Sequence, residues 1–572
     1  MTSTTDHARR AISPAKGLTA MLDHACVSHR RAALLLVVLA ALSFLPGFFQ
    51  IPPVDRDEAR FAQATKQMVE SGNYVDIHFQ GLVRYKKPVG IYWLQAAAVK
   101  TADALGITNA HKTIWLYRIP SLLGATGAVL LTYWCALAFV TRRAALLAAM
   151  MMAGSILLGV EARLAKTDAV LLLMIVAAMG AMARVYLDER RASHAMRPWI
   201  LPAIFWTAVA GGILIKGPIV IMVAGLAAVT LAICDRSVHW MKALRPLPGV
   251  AWMLLLVLPW FVAIVAHSGS SFFAQSLGHD MFGKVMNGQE AHGAPPGYYL
   301  LLFWVTFWPG AVLAGLAAPA VWKMRREAST RFLLAWLVPS WIVFEAVMTK
   351  LPHYVLPLYP AIAILIAAVI DRGALTKNPW LTRGTVGWFL FPVAVAIGGA
   401  VVSVALEGSL GIPAWPFTAA ALIFGLFAWR LYDVDGAEQA LLQGLAASVL
   451  VAIGVYGVIF PSLPSLFPAR LAAERLSATG CTKAQVASAG YEEPSLVFLL
   501  GTNTRFTDGA GAAEFLRHGP CRFALIDSRN ERSFVQRADA TALRYDRAGS
   551  FEGFNISSGR KVAVSIYRSA GP

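Results

Sequence analysis

Thirteen apolar stretches constrain the fold of this chain more than any other feature of its sequence. A helix needs about 20 apolar residues to cross the roughly 30 Å hydrocarbon core of a bilayer. Hydrophobic residues make up 57% of the chain and charged residues 14%, whereas soluble domains carry about 25% charged residues. We therefore predict an α-helical polytopic membrane protein with about thirteen transmembrane helices, near 32–51, 117–140, 144–160, 169–187, 198–215, 217–234, 247–267, 297–322, 332–349, 355–370, 385–406, 413–429 and 440–461.

The basic residues predict how the chain is oriented. The formal net charge is +18, but Lys and Arg form short clusters in alternate loops, which is typical of cytoplasmic loops and not of a nucleic-acid surface. We expect a cytoplasmic N-terminus and an uncleaved first span, because the apolar run is long and follows a tail of about 30 residues. Because the number of spans is odd, the residues after the last span lie on the side opposite the N-terminus. We therefore predict a transmembrane domain, 1–461, and an outer domain, 462–572.

The first outer loop, 52–116, begins with a dense run of charge, VDRDEAR. After Asp57, apolar residues recur at helical spacing, which predicts a helix lying in the membrane interface. A second amphipathic stretch starts at Pro88, directly after the basic segment RYKK. The loop therefore holds two predicted interfacial helices, each preceded by charged residues.

Four further outer loops bring polar residues to the same depth, in the segments GVEARLAKTD, ILIKGPI, LGHDMFGKVMNGQEAHGAPPGYY and MTKLPHYV. A single charged flank beside a span is usually solvated surface, and Lys216 alone could extend its ammonium group to the interface. Since several loops combine acids, lysines and aromatic residues beside Pro and Gly, the joint pattern favours one outer cavity. We predict that its lining includes Tyr85, Lys86, Arg163, Lys216, Glu290, His292, Lys350 and His353.

This combination of side chains suits an anionic substrate with a lipid tail. Lysine and arginine can hold a phosphate, and a carboxylate can orient or deprotonate an attacking hydroxyl group. The outer face of a membrane lacks nucleotide sugars, so activated groups must arrive there on lipid carriers. The sequence has no Gly-x-x-x-x-Gly-Lys-Ser/Thr loop, which leaves ATP-driven transport without support.

Two other classes of protein compete with an enzyme. A transporter of lipid-linked substrates should show broken helices near the bilayer midplane and an inverted repeat, but here the charges cluster at one interface and no repeat is evident. A structural or sensor protein would need no charged cavity built from several loops. We therefore favour an enzyme.

At these residues the sequence resembles the GT-C polyprenyl-phosphate-sugar glycosyltransferases. DEARFAQATKQMVESGNYV matches their Asp-Glu-x-Arg-aromatic-Ala motif, and RYKKPVGIYW matches an aromatic-x-Lys-Pro-x-x-x-Tyr-Trp motif. The later segments ARLAKTD, AHGAPPGYYL and KLPHYVLPLYP match three further loops. Over about 30–370 the chain is similar to bacterial lipid A aminoarabinose transferases and, more distantly, to protein O-mannosyltransferases.

The resemblance implies roles for the matching residues. It implies catalytic carboxylates at Asp57, Glu58 and Asp168, and ligands of the donor phosphate at Arg60, Lys87, Lys284 and Tyr354. Preorganised cations around a leaving phosphate would lower the reaction barrier. One position departs from the family: aminoarabinose transferases usually have Glu-Lys-Pro where this chain has Lys86-Lys87-Pro88, which leaves a neutral hexose or a uronic acid open as the donor sugar.

The resemblance also implies the setting of the reaction. A monomer in the bacterial inner membrane would move a sugar from undecaprenyl phosphate to lipid A on the periplasmic side, with a protein or polysaccharide acceptor as the alternative. No cofactor is required. Carboxylates and histidines leave a divalent metal open, although their spacing forms no metal-binding motif and we expect no metal.

From residue 462 the sequence changes character. ARLAAERLSA and GAAEFLRH are predicted helices, whereas AQVASAG, SLVFLLG, FALID and KVAVSIY are predicted strands, which indicates a small α/β domain. Cys481 and Cys521 bracket a predicted strand of this domain and are the two of five cysteines on the outer side. Oxidation is feasible there, so we predict a disulfide between them.

Overall fold

Helices dominate the computed structural model, which describes residues 14–190, 199–269, 271–273, 293–481, 483–519 and 521–570. Each of the thirteen predicted apolar stretches coincides with helical structure. The main helices before residue 453 are Pro14–Cys26, His29–Phe44, Asp57–Ser71, Gly90–Ala104, Ile114–Ala136, Arg142–Gly154, Ile156–Ala162, Asp168–Arg190, Ile200–Lys216, Ile219–Asp235, Pro246–Ser268, Tyr298–Thr306, Ala311–Met324, Ala328–Ala346, Tyr359–Asp371, Gly387–Glu407, Trp415–Asp435 and Ala437–Ala452.

Several of these helices are long enough to cross a bilayer. Within the described residues, seven helical segments have the length and apolar character of a membrane span, and an eighth is added if Arg142–Gly154 and Ile156–Ala162 form one bent span. That pair bends by 61° at Ser155, whose hydroxyl accepts the Leu158 N–H and so begins the second helix. Three more apolar helices are shorter than this length. The chain is therefore a multi-pass membrane protein of the predicted fold class.

The first outer loop folds as two helices joined by a small hairpin. The predicted interfacial helices are present as Asp57–Ser71 and Gly90–Ala104. The first ends at Gly72, whose positive φ of 72° favours glycine and closes the helix. Strands β1 (His78–Phe79) and β2 (Leu82–Val83) pair antiparallel between the two helices, and this hairpin was not predicted from the sequence.

The C-terminal residues form a separate α/β unit with its own apolar cores. The unit contains the strands β3 (Gln485–Ala489), β4 (Arg505–Phe506), β5 (Arg522–Asp527), β6 (Tyr545–Asn555) and β7 (Arg560–Ser569) and the helices Pro468–Ser477, Pro494–Leu500, Gly509–Leu516 and Glu531–Ala540. Its sheet has the order β4–β3–β5–β7–β6, in which β3 is parallel to β4 and β5, and β7 is antiparallel to both of its neighbours. Cys481 and Cys521 form the predicted disulfide, with their Cα atoms 5.9 Å apart.

One prediction for this unit is wrong. SLVFLLG was predicted to be a strand, but it belongs to the helix Pro494–Leu500, which begins at a proline and ends before Gly501. A short apolar run does not distinguish a buried strand from a buried helix, and proline is favoured in the first turn of a helix. The helix buries Phe498, whose ring packs 5.3 Å from that of Tyr117 in the membrane part.

Candidate active site

A buried ion pair fixes the start of the Asp57–Ser71 helix. The Arg118 Nε lies 2.7 Å from Glu58 Oε1, and the Arg118 Nη2 lies 2.9 Å from Glu58 Oε2. Both side chains are 1% exposed. The same carboxylate accepts the backbone N–H groups of Val54, at 2.8 Å, and of Ala165, at 2.9 Å. Each carboxylate oxygen of Glu58 thus accepts two N–H groups.

Arg118 uses its remaining N–H groups on the chain that precedes the helix. They donate to the backbone carbonyls of Phe48, Ile51 and Pro52 at 2.8–3.0 Å. The ion pair therefore ties together the end of the first span, the first outer loop and the segment before Asp168. From the sequence we predicted that Glu58 is a catalytic carboxylate beside Asp57. These contacts instead indicate that Glu58 stabilises the loop. The prediction overlooked Arg118, although an arginine within an apolar span is an unusual residue.

Asp57 itself is exposed at the first turn of its helix. It lies close enough to Lys166 for their opposite charges to interact. Burial alone would lower the pKa of Lys166, but the carboxylates of Glu161 and Asp168 raise it above its usual value. Lys166 therefore stays cationic and links Asp57 to a deeper group of charges.

This deeper group, the charged cluster, comprises Glu161, Lys166, Asp168, Lys216 and His353. The Lys166 Nζ lies 3.0 Å from Glu161 Oε1, and Lys216 forms an ion pair with Asp168. The imidazole of His353 stands between the two acids, with Nδ1 3.7 Å from Glu161 and Nε2 3.7 Å from Asp168. The cluster thus contains two acid–lysine pairs with a histidine between them.

Two predicted phosphate ligands lie next to the charged cluster. The Lys216 Nζ is 5.4 Å from the centre of the Tyr354 ring, and that ring packs edge-on against His353 at 5.2 Å. Lys87 lies close enough to His353 for an electrostatic interaction. The structure therefore brings together Asp168, Lys216, His353, Tyr354 and Lys87 from four separate loops, as one cavity requires.

Glu161, Asp168 and His353 also offer a set of potential metal ligands. Their ligand atoms all lie within 4.8 Å of one another, and carboxylate with imidazole is a common ligand set for divalent metals. Both carboxylates, however, already pair with a lysine ammonium group. A divalent cation would have to displace these ammonium groups, because like charges at such short range repel one another. The geometry therefore fits lysine counter-ions better than a metal.

Arg163, a predicted cavity residue, packs between helices. Its guanidinium group donates to the backbone carbonyls of Ser43, Pro46 and Gly159 and stacks 4.1 Å from the centre of the Tyr456 ring. The residue is 3% exposed. Three of its five N–H donors are thus used on backbone carbonyls that join helices to one another.

The other predicted cavity residues differ in exposure. Tyr85 is 3% exposed and packs against Phe272; burial, together with a hydrogen bond to Asp76, raises its pKa to about 12. Lys350 is buried and donates to the Val347 carbonyl at 2.7 Å. Lys86 is exposed and Arg60 is half-buried. The predicted site residues Lys284, Glu290 and His292 lie outside the described residues.

An apolar groove of about 600 Å³ lies near the start of the Asp168–Arg190 helix. It runs between the Gly90–Ala104 helix and the helices Ile114–Ala136 and Asp168–Arg190, and Val170 at its wall is two residues from Asp168. Its lining is almost wholly apolar and includes Leu94, Leu105, Trp115, Leu123 and Met174. Its size and lining suit a hydrocarbon chain.

Similar proteins agree with the predicted fold class and enzyme class. Residues 34–269 match the family described as dolichyl-phosphate-mannose-protein mannosyltransferase. The undecaprenyl phosphate-alpha-4-amino-4-deoxy-L-arabinose arabinosyl transferase of Erwinia tasmaniensis is 28% identical over 446 residues, which cover 73% of this chain and 77% of the relative. That of Edwardsiella ictaluri is 27% identical over 416 residues, 70% of each chain.

Two solved structures share nearly the whole fold. ArnT from Cupriavidus metallidurans in the apo state superposes with a TM-score of 0.72 at 16% identity, over 97% of this chain and 98% of that one. ArnT bound to undecaprenyl phosphate gives a TM-score of 0.70 at 18% identity, over 93% and 97%. The chain is a membrane glycosyltransferase with a GT-C-type fold. The predicted fold class and enzyme class are thereby confirmed, and this glycosyltransferase is similar to the aminoarabinose transferases.

Proposed function

We propose that this glycosyltransferase moves a sugar from an undecaprenyl-phosphate-linked donor to lipid A at the outer face of the bacterial inner membrane. The observation that carries the proposal is the charged cluster, in which carboxylates and lysines from separate loops meet beside Lys87 and Tyr354. The names of the arabinosyl transferase relatives support the donor. The apolar groove supports a substrate with a hydrocarbon tail.

The donor phosphate is proposed to lie against the cationic side of the cavity. Lys87, Arg60 and Tyr354 would hold it, with Lys284 as a further ligand. During transfer, the bond between the anomeric carbon and the phosphate oxygen breaks, and the electron pair stays on undecaprenyl phosphate. Fixed cations stabilise the negative charge that develops there, and removing one such donor typically costs about 3–4 kcal/mol of barrier.

Asp57 is proposed to act on the acceptor. Its carboxylate would accept the proton from the attacking oxygen of lipid A as that oxygen bonds to the anomeric carbon. Because Asp57 is exposed while Asp168 is buried and paired with Lys216, the two acids have different roles. Asp168 would hold Lys216 in place beside Tyr354, so that the cavity is cationic where the phosphate enters.

The donor sugar has two candidates. The relatives favour aminoarabinose. Lys86 is exposed on the same loop as Lys87, and a cation near the sugar would disfavour an ammonium group and favour a neutral hexose or a uronic acid, whose carboxylate it could pair with. A protein or polysaccharide acceptor is the matching alternative to lipid A.

The proposal includes the arrangement in the membrane. A cytoplasmic N-terminus places the charged cluster and the C-terminal unit in the periplasm, in accord with the alternating basic loops. The enzyme is proposed to act as a monomer, since one chain supplies the whole cluster. Impermeant labelling of single cysteines placed near Asp57, Asp168 and Tyr354 should succeed from outside only, and labelling from the cytoplasm would contradict the single outer cavity.

The proposed chemistry is tested by Asp57→Asn, which preserves shape and removes the charge. Purified protein in lipid vesicles, supplied with undecaprenyl-phosphate-linked sugar and lipid A, should lose transfer and keep its donor affinity. Lys87→Ala should weaken donor binding as well, because it removes a phosphate ligand. Asp103→Asn is the matched control, since Asp103 lies in the same loop with a side chain that is 60% exposed. Full transfer by Asp57→Asn would overturn the assignment.

A further inference from the structure

The C-terminal unit is seated directly on the Asp57–Ser71 helix. Phe498 is fully buried in one apolar cluster with Ala62 of that helix, Val99 of the neighbouring helix and Tyr117. The Lys66 Nζ donates to the Phe498 carbonyl at 3.0 Å. The contact is thus an apolar core with a buried, hydrogen-bonded ammonium group beside it.

Polar contacts continue along the same face. Thr502 accepts the Gln63 Nε2 at 2.9 Å and donates its hydroxyl to Glu70 at 2.8 Å. The Gln80 side chain, on the hairpin, donates to the Thr504 carbonyl at 2.5 Å. The loop after the Pro494–Leu500 helix therefore contacts the Asp57–Ser71 helix from Gln63 to Glu70.

The contact closest to the reaction centre is made by Asp55. Its two carboxylate oxygens accept the Ser495 backbone N–H at 2.8 Å and the Ser495 hydroxyl at 2.7 Å. Asp55 thereby caps the start of the Pro494–Leu500 helix through both of its carboxyl oxygens. Arg56 lies 3.7 Å from Glu493, which also accepts the Asn555 side chain at 2.8 Å.

Asp57 consequently sits between two anchored carboxylates. Asp55, two residues earlier, is fixed to the C-terminal unit, and Glu58, one residue later, is fixed to Arg118 in the membrane part. A reacting group must keep its geometry closely, and a displacement of about 1 Å can cost roughly 100-fold in rate. Asp55 precedes Asp57 in the sequence and Glu58 follows it. The loss of either contact would therefore allow the first turn of the helix to move.

We propose that Asp55 and Ser495 are positioning residues, through which the docked C-terminal unit holds Asp57 at the cavity. The proposal rests on the proposed function, since it assigns the unit a part in that same reaction. Neither residue touches the substrate. Their loss acts on the geometry of Asp57 and leaves the phosphate ligands in place, so kcat falls while the KM for the donor stays nearly constant.

The test compares Asp55→Ala, Asp55→Asn and Ser495→Ala in the full-length protein. For each we would measure kcat and KM for undecaprenyl-phosphate-linked aminoarabinose with lipid A, and amide hydrogen exchange over residues 54–71. Asp508→Ala is the matched control, because Asp508 caps the Gly509–Leu516 helix through Gly511 at 2.7 Å within the C-terminal unit. This control weakens a cap of the same kind away from Asp57.

Asp55→Ala is expected to lower kcat by about tenfold or more, to change KM by less than about threefold, and to speed exchange in 54–60. Asp55→Asn keeps one acceptor oxygen, and Ser495→Ala keeps the backbone N–H. The kcat of each should therefore lie between that of Asp55→Ala and that of the unchanged protein. Unchanged kcat in Asp55→Ala, or an equal loss in Asp508→Ala, would overturn the proposal. If the unchanged protein transfers no sugar, the proposed function fails, while unaltered exchange in Asp55→Ala would separately refute the anchoring.

Discussion

Glu58→Gln separates a supporting carboxylate from a catalytic one. The amide preserves the shape of the side chain but removes the charge that balances Arg118. Arg118 and Glu58 are both buried, so the guanidinium group would be left without a counter-ion in a site from which water is excluded. Breaking a buried ion pair by removing one partner costs about 3–5 kcal/mol of stability.

Hydrogen-bond donors add to this cost. Each oxygen of Glu58 accepts one N–H of Arg118 and one backbone N–H, from Val54 or from Ala165. In glutamine an NH₂ group replaces one of these oxygens, so its N–H donors would face the N–H donors of Arg118 and of the backbone with no acceptor between them. We therefore expect Glu58→Gln to lower the stability by an amount near the upper end of this range of about 3–5 kcal/mol. The double variant with Glu58→Met and Arg118→Met should lose less stability, because no charge is left unpaired.

Equilibrium unfolding in mixed detergent micelles would give the loss of stability, and transfer assays on the folded fraction would give the activity. Glu58→Gln should unfold far more easily, yet keep more activity per folded molecule than Asp57→Asn does. A Glu58→Gln protein that is as stable as the unchanged enzyme and inactive would refute the supporting role and restore Glu58 as a catalytic acid.

Three further predictions concern the C-terminal unit and the donor sugar. Cys481→Ser should destabilise the unit by about 4 kcal/mol, since the disulfide closes a loop with a sequence separation of 40; identical thermal unfolding with and without reductant would contradict this. Burial, with Glu493 adding to it, raises the pKa of Asp55 from 3.8 to about 7. The folded state therefore holds a proton that the unfolded state releases, and stability should fall as the pH rises from about 4 to 7, by up to about 4 kcal/mol; the same pH dependence in Asp55→Asn would refute this origin. Finally, Lys86→Glu should shift donor preference toward aminoarabinose and away from galacturonate, and an unchanged preference would show that this charge does not select the sugar.

The sequence predicted the membrane part well because its signals are local. A long apolar run has few alternatives to a spanning helix, and charge next to such a run is easily seen. The sequence also placed Asp168, Lys216, His353 and Tyr354 in one cavity, since residues at the same end of neighbouring spans must meet. These inferences needed only the order of the segments and the side of the membrane.

Partners of individual charges could not be predicted in this way. Arg163 and Glu58 lie in motifs full of charge, yet one binds backbone carbonyls and the other binds Arg118. Which charge reaches the cavity depends on helix rotation and on the bend at Ser155, and neither leaves a clear pattern in the sequence. The strand prediction for SLVFLLG was wrong for a related reason. Its apolar residues include Phe498, which packs against the membrane part, and this contact is not visible in the sequence.

The contact between Asp55 and Ser495 has a consequence for how the enzyme is built. Its two residues are separated by 440 positions, so the chain is almost complete before the second of them is made. The Arg118–Glu58 pair can close much earlier, since it needs nothing beyond residue 165. During synthesis from the N-terminus, the membrane helices are thus assembled around a first outer loop that is held at one end only. The loop becomes complete with the last domain, so a chain released early would be inserted in the membrane and yet have little activity.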